Sequence, residues 1–135
     1  VKIEYGKRPP NFDQIAAVFP SARKTGIIFC YGDVIYVSSN TPLSEPLVAH
    51  ETMHSTRQDT IGVEQWWHRY LHDTSFRFEE ELLAHSAEYK AFADCGRNER
   101  RAALKTIAQR LSSPLYGSMV TKAKASTMLK DTAHA

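Results

Sequence analysis

Cysteine is scarce. The 135-residue chain holds two, Cys30 and Cys95, too few for a disulfide framework and without the CxxC spacing of a cysteine metal site. They read as free thiols in a reducing compartment. No hydrophobic run approaches the length of a membrane span, and the opening VKIEYGKRPP carries no apolar signal segment, so a soluble, cytoplasmic chain is expected. Repeats, low-complexity tracts and linkers are also lacking. These absences exclude a disulfide scaffold, a membrane-spanning protein and a repeat array.

A hydrophobic fraction of 42% and a charged fraction of 24% suit a single globular domain over residues 1–135, able to bury one core without cross-links. Net charge is +2, but it is uneven: from Arg97 onward there are eight Lys and Arg against two acids, and before it nine against thirteen. The basic C-terminal part, 112–135, is expected to be partly helical and frayed. A nucleic-acid partner is compatible with it but not favoured, because a solvated helix face has the same composition.

The hydrophobic pattern predicts an α+β chain. PPNFDQIAAVFP reads as a short helix with Asn11 as N-cap and Pro20 as its stop. In TGIIFCYGDVIYVSSN, two β-rich runs at 27–30 and 34–38 flank YGD and predict a hairpin. TPLSEPLVAHETMHSTRQ predicts a helix capped by Ser44, with Glu45 at its positive end and Pro46 in its first turn. A turn through QDTIGVEQ and a short helix in EQWWHRYLHD follow, with Trp66 and Trp67 assigned to the core. Ser75 is the expected cap of a longer helix ending at Gly96, and Asn98 the cap of a last long helix.

The chemistry lies in HETMH, residues 50–54. Four residues apart on a helix, His50 and His54 share a face and can offer two imidazoles to one ion. Glu51 leans to one side, near enough to take a proton from water on that ion without binding it. Zinc fits this donor set, because a catalytic zinc site takes three N or O ligands and keeps one position open. The third ligand is not a later histidine: Arg57 and Thr60 stand where HExxHxxGxxH requires Gly and His. FEEELLAHSAEY instead offers glutamates. Glu81, Ala84, His85 and Glu88 fall on one helical face, while Glu79 and Glu80 turn away from it. Glu81 is therefore the choice, with Glu80 and then Glu88 as alternatives. At least two of these acids are expected on a solvated face. His85, four residues on from Glu81, can support a ligand by hydrogen bonding. His68, Tyr70, Tyr89 and Tyr116 are candidate donors to a developing oxyanion.

HETMH followed by EEELLAH resembles the glutamate-type zincins, zinc metallopeptidases with an HExxH-plus-Glu site. The resemblance implies one zinc ion per chain held by His50, His54 and Glu81, with Glu51 as general base and acid, and a small zincin-like domain in which a short sheet packs on several helices. His85 stands where that group often has Asp. Most of the chain, through HETMHSTRQ, WWHRYLHDTSFRFEEELLAHSAEY and LSSPLYG, is also similar to small uncharacterised HExxH proteins of tailed phages and prophages. That likeness implies a phage origin, in infected-host cytoplasm or a virion. In zincins a strand at the cleft edge pairs with an extended peptide, and Val34, Ile35, Tyr36, Val37 and Ser38 are the candidates here. The implied function is peptide-bond hydrolysis. A zinc-stabilised structural or binding protein, and a nucleic-acid-associated factor, are the alternatives.

Overall fold

The computed structural model describes residues 1–24 and 26–134. The chain is α+β, with a three-stranded mixed sheet against a larger helical body. The strands are β1 (Lys2–Tyr5), β2 (Ile28–Tyr31) and β3 (Val34–Val37). The expected hairpin is β2–β3, antiparallel, with Tyr31 opposite Val34 and Ile28 opposite Val37. Its two-residue turn has Gly32 at φ +61°, the left-handed conformation that the first central position of a tight hairpin turn requires. β1 was not foreseen. It pairs in parallel with β3, so the strand order is β1-β3-β2.

That order overturns one expectation. β3 is the middle strand, both of its edges are occupied, and Val34, Ile35, Tyr36, Val37 and Ser38 do not form a free edge for a substrate. The open edge belongs to β2. Ser38 N–H bonds to the Ile27 carbonyl, and the antiparallel alternation then turns the backbone groups of Ile28 and Cys30 away from β3.

Between β1 and β2 lie α1 (Phe12–Val18) and a 3-10 turn, Pro20–Arg23; the Asn11 side chain makes no capping bond. α2 (Glu45–Ile61) is capped as expected, Ser44 Oγ accepting from Leu47 N–H, but it runs straight through QDTI to Gly62. α3 (Val63–His72) follows at once. α4 (Thr74–Lys90) is capped by Asp73, whose Oδ1 accepts from Phe76 N–H at 3.1 Å, so Ser75 is not the cap. Gly96 is not the end of that helix but the residue before α5 (Arg97–Leu111), which Asn98 does not cap. α6 (Lys122–Ala133) closes the chain.

Two apolar clusters hold these elements. One joins Phe12, Ile15 and Ala22 to Trp66, Trp67, Leu71 and Phe76. The other joins Phe78 to Ile107, Leu111, Ala125 and Leu129. Phe76 and Phe78 put α4 into both, so α4 is the spine between the clusters. α6 contributes Ala125 and Leu129, both fully buried, and is thus part of the core rather than a frayed tail. Cys30 and Cys95 are free thiols. No helix among the described residues is long and apolar enough to cross a membrane.

Candidate metal centre

α2 and α4 lie side by side, and their facing surfaces carry polar residues that cores rarely contain. His50, Glu51 and His54 on α2, and Glu81, His85 and Glu88 on α4, are all buried. Such groups persist away from water only when paired with one another or with an ion. Ligand atoms of His50, Glu51 and His54 lie within 4.8 Å of one another, and so do those of His50, Glu81 and His85. Glu81 ties the groups together: its Oε1 is 3.3 Å from His50 Nε2 and its Oε2 2.9 Å from His54 Nε2.

A tetrahedral ion with ligand bonds near 2.1 Å sets its donor atoms about 3.4 Å apart. The 3.3 Å spacing of His50 and Glu81 matches that scale, and the 2.9 Å spacing of His54 and Glu81 is about 0.5 Å shorter. Glu81 Oε1 is also buried without a hydrogen-bond partner, a costly state for a carboxylate oxygen and one that a cation removes. The residues therefore fit a metal held by His50, His54 and Glu81.

The surrounding shell supports the same geometry. His50 Nδ1–H donates to Glu88 Oε1 at 2.9 Å, which turns Nε2 towards Glu81, and Arg110 on α5 donates to the other Glu88 oxygen. A carboxylate on the outer nitrogen fixes the tautomer and orientation of a metal-binding imidazole. Tyr70 OH donates to Glu81 Oε2 at 2.8 Å. His85 bonds to Glu81 as the sequence suggests, but through the main chain: its Nδ1–H donates to the Glu81 backbone carbonyl at 2.7 Å, four residues back. It braces the Glu81 main chain, and Glu88 stands beside the His50 ring.

Electrostatics follow from this packing. Burial works against the charged form of His50, but bonds to Glu81 and Glu88 outweigh it and lift its pKa to about 10. Glu81 is raised by burial, yet His54 and His50 hold it well below the usual carboxylate range. Glu51 moves the other way: burial raises its pKa, and the nearby imidazoles offset this only in part. His85 is lowered to about 4 by burial and by the charge on His50, so it is neutral at physiological pH.

No family model, curated protein or solved structure matches the chain. The site is read from its own geometry.

The other candidates divide cleanly. Glu80 is buried but belongs elsewhere, accepting from Arg57 Nε and Nη2 and, at 2.7 Å, from Trp66 Nε1. Of the four glutamates only Glu79 is exposed, which corrects the expectation of a largely solvated acidic face. Tyr70 and Tyr116 line the cleft over the centre. Burial and the Glu81 charge push both phenols well above their ordinary pKa, so they stay protonated donors. His68 is excluded, because it is exposed and pairs with His72 on the far side of α3 from Trp66 and Tyr70. Tyr89 is excluded as well, packed against the second apolar cluster. Sequence reasoning missed Arg110, which stands 56 residues after HETMH with nothing local to mark it.

Proposed function

We propose that the chain is a zinc-dependent peptidase whose general base is Glu51. The observation that carries this reading is Glu51 itself. It is buried, its proton affinity is raised, and its Oε2 lies 3.6 Å from His50 Nε2, while Glu81 makes the closer contacts to both histidines. A structural metal has no need of such a residue. Zinc bound by His50, His54 and Glu81 would supply a water acidified towards neutrality and an electrophile for the substrate carbonyl. Glu51 accepts the water's proton and returns it to the leaving amine, the two steps of general base and acid catalysis. Tyr116 offers an O–H donor where negative charge develops on the carbonyl oxygen, while the Tyr70 O–H is held by Glu81.

Substrate alignment falls to β2. Its open edge, beside the cleft, presents Ile28 N–H and C=O and Cys30 N–H, and an extended peptide pairs there by strand addition. Cys30 C=O is not available, because Gln58 Nε2 and Trp67 Nε1 donate to it at 2.9 and 3.2 Å.

The test is zinc reconstitution followed by a peptide-pool digest, with Glu51→Gln as control. The expected result is cleavage by the native chain and none by the variant. Equal digestion by both, or zinc uptake with no cleavage of any peptide, would defeat the reading.

A further inference from the structure

We infer that the cleft contains an uncharged subsite which selects substrates carrying a large apolar side chain beside the scissile bond; this rests on the peptidase reading and deepens it. The cleft encloses about 290 Å³. Among the described residues that line it, charge is confined to His50, Glu51, Glu81 and Arg110. The first three belong to the candidate centre, and Arg110 is engaged by Glu88. Phe19, Ala22, Phe29, Trp66, Trp67 and Tyr70 give the lining an apolar and aromatic wall.

The polar atoms of that wall are already spent. Trp66 Nε1 donates to Glu80, Trp67 Nε1 to the Cys30 carbonyl and Tyr70 OH to Glu81. A charged substrate side chain packed against this wall would shed its water and meet no counter-ion among these side chains. An apolar side chain loses nothing on entry and gains by leaving water. The rim points the same way. Leu115, on the turn that also carries Tyr116, is 46% exposed and lines the cleft, one of few large apolar side chains left in solvent. The Arg77 guanidinium donates to its carbonyl and holds it there.

Zinc-loaded protein is given peptides that differ at one position (Phe, Leu, Ala, Ser, Asp or Lys), and products are mapped by mass spectrometry. Cleavage next to Phe or Leu should exceed cleavage next to Ala by about tenfold or more in kcat/KM, with Asp and Lys lower still. Leu115→Lys, an exposed change that leaves the core intact, should narrow the gap between Phe and Asp peptides by about threefold, the scale of an exposed charge. In parallel, tryptophan fluorescence of zinc-loaded Glu51→Gln reads affinity without turnover, and the Phe peptide should bind about tenfold tighter than the Asp peptide. Equal affinities, or cleavage indifferent to this side chain, would overturn the subsite. If nothing is cleaved but the variant still binds the Phe peptide selectively, the peptidase reading fails and the subsite stands.

Discussion

Glu51, Glu81 and Glu88 are three buried carboxylates within one site, and their different partners give them different tasks. Glu51→Gln keeps the side chain's size and hydrogen bonding but removes its basicity. Zinc content should stay at one per chain while peptidase activity falls about a hundredfold or more. Loss of the metal in this variant would mean that Glu51 is itself a ligand. Glu81 and Glu88 separate in a metal titration. Removing Glu88 leaves three ligands but frees the His50 ring, so Glu88→Ala should weaken zinc binding about 10- to 100-fold. Glu81→Ala, which deletes a ligand, should weaken it further, and the reverse order would exchange their roles.

Between α2 and α4, below the metal centre, Glu80 joins Arg57 of one helix to Trp66 of the next and fixes their spacing. Glu80→Ala orphans a buried indole N–H and a guanidinium that is only partly solvated. It should cost about 3 kcal/mol in chemical denaturation, against at most about 0.5 kcal/mol for exposed Glu79→Ala. The same pair of helices shows what a sequence can reveal. His50, Glu51 and His54 were legible because helical periodicity alone puts them on one face, and Glu81 because the same period carries over to α4. Glu80 reads as surface by that rule, since nothing in α4's own sequence says that Trp66 and Arg57 will arrive to cover it. β3 was recognised as a strand but misjudged as an edge, because edge status depends on β1, a four-residue K-I-E-Y stretch too short to declare its pairing. Ser75 and Asn98 lost their capping roles to Asp73 and Gly96, shifts of two residues that follow from which backbone leaves the helix first.

At the scale of the whole molecule, a metal at the proposed centre would be coupled to the fold, since α2 and α4 meet across it and α4 reaches both apolar clusters. Zinc at a thousand times its dissociation constant should add about 4 kcal/mol of stability, seen as a higher Tm that a chelator reverses. An unchanged Tm at saturating zinc would mean that the ion does not bind the folded state at this site. The basic C-terminal part belongs to the same fold. Arg97, Arg101 and Lys105 lie exposed along α5, but deleting α6 to test nucleic-acid binding would uncover Ile107 and Leu111, so charge-neutralising substitutions are the sounder probe.

The two donors on the Cys30 carbonyl also bear on how copies of this chain behave towards each other. An unshielded sheet edge is a template for any other strand, including that of a neighbouring molecule. Here the open stretch of β2 stops at Ile28 and one N–H of Cys30, long enough to align a peptide held by the metal centre but too short for two sheets to zip together. The feature that would limit what the proposed cleft can grip should also disfavour edge-to-edge pairing between copies. Releasing that carbonyl with Gln58→Leu and Trp67→Phe together should produce concentration-dependent association in light scattering, and a variant that stays monomeric would show that the edge is guarded by something else.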